Sequence, residues 1–369
     1  MRRHAERIAG MVIKEFRQIF RDPRMARVIF VAPVIQLLIF GYAVSTDIAD
    51  TATFLVDHDR SRDSRELVDS LTASGYFRIV GRSDRPQDLV QALQRGDAVV
   101  GLTIPVSFSR DLRTGPGARV QILFDGTNSN TASVAQGYAE RIVADFGRRR
   151  SPGFSLPIDL RDRPWFNPNL ESRDYNVPAV VGALIMLVCL LLTSLAVVRE
   201  REIGTLEQLE VSPLTAGDLI AGKTIPFAVI GLVDLIVVTA VALYWFEVPF
   251  RGSFVLLLGA SALYILSALG IGLFISTIST TQQEAFMASF LVFMPAILLS
   301  GFMFPVTSMP EVFQWVTLLN PVRHYIEIVR AVFLKGAGFD ALSRQFAALF
   351  LIGTTILFLA TRRFKTSSD

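Results

Sequence analysis

The chain has 369 residues, 51% of them hydrophobic and only 19% charged, with a net charge of +3 and a mean hydropathy of +0.45. A soluble domain usually carries about a quarter charged residues, so the composition argues against a disordered chain and against an ordinary soluble enzyme. The single cysteine, Cys189, excludes an intramolecular disulfide framework, and three scattered histidines (His4, His58, His324) argue against a histidine metal site. The small net charge gives no reason to expect a nucleic-acid partner.

In chain order, Ala5–Arg21 reads as an amphipathic helix within the segment 1–27. Ile8, Val12, Phe16, Ile19 and Phe20 lie on or near one face, and Arg7, Lys14, Arg17 and Arg21 surround them. Such a helix lies along a membrane surface or packs on a partner. Six apolar runs follow that match the roughly 20 residues a helix needs to cross a bilayer: 28–46, 177–198, 224–246, 254–276, 285–305 and 345–361. The first has no small-residue cleavage site after it and reads as a retained anchor. The fold expected is an α-helical polytopic membrane protein with six transmembrane helices and an α/β extracytoplasmic domain, 47–176, between spans 1 and 2. A membrane domain over 177–369 carries the other five spans.

Charge sets the orientation. Segment 1–27, the loop between spans 2 and 3 and the C-terminal tail together carry fourteen Lys and Arg, against five in the opposite short loops. By the positive-inside rule both termini face the cytoplasm, and 47–176 lies outside.

Within 47–176, strands are expected at Thr53–Val56, Arg78–Val80, Val99–Ile104 and Val120–Phe124. Helices are expected at Ser64–Ser74, Pro86–Arg95 and Ser129–Phe146. Arg148–Pro164, rich in Pro and Arg, reads as a linker. Asp57, Asp59 and Asp63 are spaced loosely like calcium-loop ligands, but no glycine sits at the required turn and no Glu closes the loop. They read as a capped strand-to-helix turn, and Asp125–Asn128 reads as another turn.

Three stretches carry the functional argument. At 199–223 charges begin where span 2 leaves the bilayer: Arg199, Glu200 and Arg201 precede Gly204, and Thr205, Leu206, Glu207 and Leu209 follow on a short helix. Pro213 ends that helix, and a second short helix leads into span 3. This elbow either inserts into a cleft of a cytosolic partner or is a surface loop. Inside it, Gly217 to Thr224 matches the phosphate-loop pattern GxxxxGK[ST]. That pattern works only between a buried strand and a helix, and here its upstream flank is polar and its downstream flank is a span. Lys223 is therefore expected at the membrane surface, its ammonium reaching the headgroups. Asp234 lies near the middle of span 3, where a carboxylate is expensive; pathway, gating and structural packing are all open readings. After span 5, Pro305 and Pro310 break the helix, and 306–340 reads as short outer-face helices with Trp315 and Tyr325 as interface aromatics.

Taken together these stretches resemble the permease subunit of ABC transporters of the ABC-2 type. Lys14–Pro23 (KEFRQIFRDP) resembles the family's cytoplasmic interface helix, with Lys14, Glu15, Arg17 and Arg21 as its charged positions. Arg199–Leu209 (REREIGTLEQL) resembles the ATPase-coupling region. Ser300–Pro305 (SGFMFP), Met309-Pro310 and Asn320–Arg323 (NPVR) resemble the segment between spans 5 and 6. Val56–Asp59, Gly75–Phe77, Ile104-Pro105, Asp125–Asn128 and Ala135–Tyr138 are similar to the bacterial drug-exporter subgroup with a large outer domain. Glu202-Ile203 departs from the pattern, since many relatives carry another Arg or Lys there. The resemblance implies an inner-membrane exporter subunit for a drug-like or amphiphilic small molecule. It implies no cofactor in this chain, with ATP and Mg held by a separate cytosolic ABC ATPase dimer. It further implies a second permease, identical or paralogous, and for the subgroup a periplasmic adaptor and an outer-membrane channel. The main rival is a membrane sensor whose outer domain binds a ligand. An intramembrane enzyme would need a His or Asp companion to Asp234 in another span, and there is none.

Overall fold

A computed structural model describes residues 2–21, 23–43, 50–114, 117–127, 129–150, 166–167, 171–204 and 216–368. The chain forms two compact units, one of Met1–Ser45 with Pro164–Asp369 and one of Thr46–Arg163.

The second unit is a four-stranded sheet flanked by helices. β1 (Thr51–Asp57), α3 (Arg62–Ala73), β2 (Phe77–Arg82), α4 (Pro86–Arg95), β3 (Val100–Ile104), α5 (Phe108–Thr114), β4 (Gln121–Phe124) and α6 (Ser129–Arg150) follow in order. Strand order is β2-β1-β3-β4; β1 is parallel to β2 and β3, and β4 returns antiparallel to β3. Leu55, Leu67, Val68, Leu71, Leu102, Ile104 and Phe146 share one core. Ser61 caps α3 by accepting the amide of Ser64, and Gly96, at φ 76°, closes α4 in the left-handed region that favours glycine. Every strand and helix expected here is present, within a few residues of its boundary. The sequence reading missed α5. It is only seven residues long and buries a single side chain, Phe108, so it offers no helical period to read. The linker beyond Arg150 lies outside the described residues.

The first unit is helical: α1 (Arg2–Arg21), α2 (Pro23–Ala43), α7 (Ser172–Ile203), α8 (Ala216–Tyr244), α9 (Phe254–Ile278), α10 (Gln282–Leu298), α11 (Glu311–Thr317), α12 (Pro321–Arg330) and α13 (Phe339–Ser368). Among the described residues four helices are long and apolar enough to cross a membrane, those in α7, α8, α9 and α13; Ile29–Ala43 and Gln282–Leu298 are shorter apolar helices. Two expectations change. The run 285–305 was expected to be one span, but its helix stops at Leu298, after Pro295, and Gly301 turns at φ 81°. The helix entering span 3 was expected to be separate; instead α8 runs unbroken from Ala216, with Pro226 inside it. Prolines are tolerated in apolar helices where neighbours re-satisfy the freed backbone groups.

Polar atoms buried among these helices largely find partners. The rings of Tyr264 on α9 and Tyr325 on α12 stack with centroids 4.0 Å apart. The Tyr264 hydroxyl donates to the Gly182 carbonyl at 3.0 Å, and the Tyr325 hydroxyl bonds Ser261 Oγ at 2.7 Å. Such paired hydroxyls let large rings fill an apolar core without orphaned polar groups. Ser194 on α7 meets Ser289 on α10 at 3.0 Å.

Candidate functional site

At one end of the helical unit, α1 lies against the start of α8 and the last turn of α7. The buried side of α1 is a stripe at four-residue spacing, Met11, Glu15 and Ile19. Phe20, expected on the apolar face, is exposed instead. Met11 seats on Gly222 of α8: a Cβ there would lie 2.6 Å from Met11 Cγ, so glycine permits the close approach. Nearer its start, α1 reaches α8 again, where His4 Nδ1 donates to Asp218 at 3.0 Å.

Placing Glu15 on the buried stripe creates the central feature. Lys14 Nζ contacts Glu200 at 2.7 Å and Glu15 at 3.6 Å; Lys223 Nζ contacts Glu200 at 2.7 Å and Glu15 at 3.5 Å. Two ammonium groups and two carboxylates thus alternate, each cation touching both anions. The side chains of Lys223, Glu15 and Glu200 are only 2%, 4% and 8% exposed. Lys14 is half-exposed. Burial works against the charge on Lys14, but Glu200 and Glu15 outweigh it and hold its pKa above the usual lysine value. Mutual pairing is what makes four ionised groups tolerable here, since removing one partner from a buried pair leaves an uncompensated charge.

Lys223 therefore does not reach toward headgroups as expected; it turns inward because two carboxylates await it. The phosphate-loop pattern around it is continuous helix from Gly217 to Thr224, with none of the loop geometry that cradles phosphate. Its residues serve packing: Asp218 holds His4, Gly222 admits Met11, and Lys223 completes the charge ring.

The last turn of α7 spreads further. Arg201 Nη1 donates to the carbonyls of Ser276 and Ser279 at 3.1 and 2.8 Å, closing the end of α9. Glu202 accepts the backbone N–H of Gln282 at 3.0 Å, capping α10. Glu202 thus joins α7 to α10. Arg199 is half-buried. Gly204, at φ 77°, ends α7, its N–H bonded to the Arg201 carbonyl at 3.1 Å. Thr205, Leu206, Glu207 and Leu209 lie outside the described residues. Arg17 and Arg21 are exposed on α1, away from the ring.

Asp234 stands apart. It is fully enclosed between helices, one turn beyond Gly231, where a Cβ would meet Cys189 Sγ of α7 at 2.7 Å. Neither carboxylate oxygen has a hydrogen-bond partner among the described residues. The acidic turn of the sheet unit is saturated locally. Asp57 Oδ1 accepts the amides of Asp59 and Arg60, and its Oδ2 accepts Ser64 Oγ. Asp59 accepts Ser109, and Asp63 pairs with Arg113 and Arg150.

Four apolar helices of spanning length, with α7 and α8 tied to α1 at one end by buried charges, define a helical membrane-embedded protein. The comparison with known proteins makes this specific: residues 27–362 match the ABC-2 family transporter protein model, and the chain belongs to that family. It is 34% identical over 366 residues to the Escherichia coli K12 protein named probable multidrug ABC transporter permease YbhS, covering 98% of this chain and 96% of that one. It is 33% identical over 351 residues to the probable multidrug ABC transporter permease YbhR of the same organism, covering 95% of each. Against the E. coli inner membrane transport permease YhhJ it is 29% identical over 388 residues, covering 98% of each chain. The resemblance read from the sequence is thus confirmed, and the chain is an ABC-2 permease.

Proposed function

We propose that this permease exports a drug-like or amphiphilic small molecule from the cytoplasm, driven by ATP hydrolysis on a separate ABC ATPase dimer that supplies ATP and Mg, and that the charge ring transmits the ATPase motion to the spans. The observation carrying this reading is the ring itself. Lys14, Glu15, Glu200 and Lys223 tie α1, α7 and α8 together at the two positions, Gly204 and Ala216, where the elbow leaves and rejoins the helical unit. A push on the elbow would reach α7 and α8 at the ring, α9 through Arg201 and α10 through Glu202. A set of helices clamped at one end moves as a body, as coupling between sites requires.

The family makes a second permease and an ABC ATPase the general partners. In this reading the chain lies in a bacterial inner membrane with six spans, both termini cytoplasmic and the sheet unit periplasmic; the excess of Lys and Arg beside the elbow and termini supports it. A periplasmic adaptor and an outer-membrane channel complete the assembly. Asp234, enclosed in α8, is the candidate gating residue. Cysteine labelling is expected to mark Arg95, Ser129 and, beside the buried Ser64, the exposed Arg65 from outside, and Gly204 and Ser368 from inside; cytoplasmic labelling of the first three would overturn the topology. The functional test is copurification with an ABC ATPase followed by ATP-driven dye export from reconstituted vesicles. Glu207→Arg should preserve insertion and ATP hydrolysis while lowering export; full export by that variant would refute the elbow's role.

A further inference from the structure

At the other end of the helical unit, the first turn of α7, the turn after α10, α11 and α12 enclose a cavity of about 710 Å³. That volume suits a small ligand or a lipid headgroup. Its charges are arranged unequally. Arg323 pairs with Glu327 at 3.3 Å, and Glu327 also accepts from Gln345 at 3.2 Å, so these two walls neutralise each other. Arg330 makes no ion pair among the described residues; the carboxylate that acts on it, Glu327, is committed to Arg323 and Gln345. It donates to the carbonyls of Tyr175 at 3.1 Å and Gly301 at 3.0 Å, and its guanidinium stacks over the Tyr175 ring at 3.5 Å. Carbonyls and a ring face orient a guanidinium without cancelling its charge. Glu311, on the α11 wall, is exposed and makes no hydrogen bond or ion pair among the described residues. The cavity thus carries one cation and one anion, Arg330 and Glu311, that form no ion pair among the described residues. Trp315, 73% exposed, lines it beside Glu311, and its indole face can hold an ammonium.

A net-neutral cavity with one such charge of each sign is complementary to a zwitterion. Its surroundings say which kind. Val312, Phe313 and Leu319, on and just beyond α11, are exposed apolar side chains. A short helix with exposed apolar side chains beside spanning helices suits the bilayer interface, where acyl chains would cover them. We propose that the cavity receives a zwitterionic phospholipid headgroup of the phosphoethanolamine kind, its phosphate against Arg330 and its ammonium against Glu311 and the Trp315 face, with the acyl chains along α11. The outer leaflet as its location rests on the orientation proposed above; the headgroup chemistry does not.

The test uses the purified full-length permease in detergent with equal amounts of palmitoyl-oleoyl phosphatidylethanolamine and phosphatidylglycerol, retained lipid being read by native mass spectrometry. The wild type is expected to retain phosphatidylethanolamine preferentially. Glu311→Gln, at an exposed position outside the charge ring, should cut that preference about tenfold, the worth of one charge-assisted contact, with thermal unfolding unchanged. Glu311→Lys should reverse the preference toward phosphatidylglycerol. No preference in the wild type, or a preference that survives Glu311→Gln, would overturn the proposal. Displacement of the lipid by glycerophosphoethanolamine at equal concentration would overturn the lipid as source, because the exposed apolar side chains would then contribute nothing.

Discussion

The two units handle charge in opposite ways. In the sheet unit ion pairs lie at the surface: Arg60 and Asp84 bond each other while 67% and 66% exposed, and Arg62 pairs with Glu66 one helical turn away at 2.9 Å. Its core buries no charged side chain among the described residues; the buried polar ones are Thr51, Thr53 and Ser64. In the helical unit three charges are buried and bonded, with the half-exposed Lys14, into a ring, while apolar side chains cover much of the outside. Water screens the first kind of pair, so it adds little to folding. The second kind is costly to assemble and more costly to break, which suits it to holding several helices in one arrangement.

The sharpest way to break this contrast is to neutralise one member of the ring. Glu200→Gln leaves two ammonium groups facing one carboxylate, and the purified permease should lose about 3–5 kcal/mol, read as a drop in thermal unfolding temperature. Exchanging all four charges together (Lys14→Glu, Glu15→Lys, Glu200→Lys and Lys223→Glu) keeps the alternation and should recover part of it, whereas Glu200→Lys with Lys223→Glu alone sets like charges against Lys14 and Glu15 and should not. Leu67→Ala empties a fully buried position of the sheet unit and should cost that unit about 2–5 kcal/mol, with the ring's helices unaffected in hydrogen exchange. Gly222→Val forces a side chain into Met11; about 1–3 kcal/mol is expected, with faster exchange confined to α1. At the small end, Asp84→Asn removes an exposed partner and should leave thermal unfolding unchanged. If Asp84→Asn cost as much as Glu200→Gln, the distinction between the units would fail.

The same contrast explains what the sequence revealed. The sheet unit obeys short periods: alternation in strands, three-to-four spacing in helices, Pro at the first turn of α4 and Ser at the cap of α3. Each is a local signal, so its elements were legible except α5. The apolar runs of the helical unit were equally plain. Its site was legible only as a list of charges beside spans. Glu15 lies on α1, Glu200 ends α7 and Lys223 lies near the start of α8, and no local pattern tells that they converge. The available hint was that isolated charges of opposite sign flank the ends of consecutive spans. Lys223 was misplaced because a lone lysine beside a span ordinarily reaches for headgroups, whereas tertiary contact offered it two carboxylates. Asp234 was recognisable from its position alone, and the structure adds that its carboxylate stands without a hydrogen-bond partner among the described residues. Asp234→Asn should therefore change export more than stability.

The central claim is that the ring carries the ATPase stroke into the spans. It is tested most directly by measuring export per ATP hydrolysed in vesicles holding the permease and its ATPase, for the wild type and for Glu200→Gln, at a temperature where both are folded. The account predicts near-normal ATP hydrolysis by Glu200→Gln with a much lower export ratio. An unchanged ratio in the folded variant would contradict it.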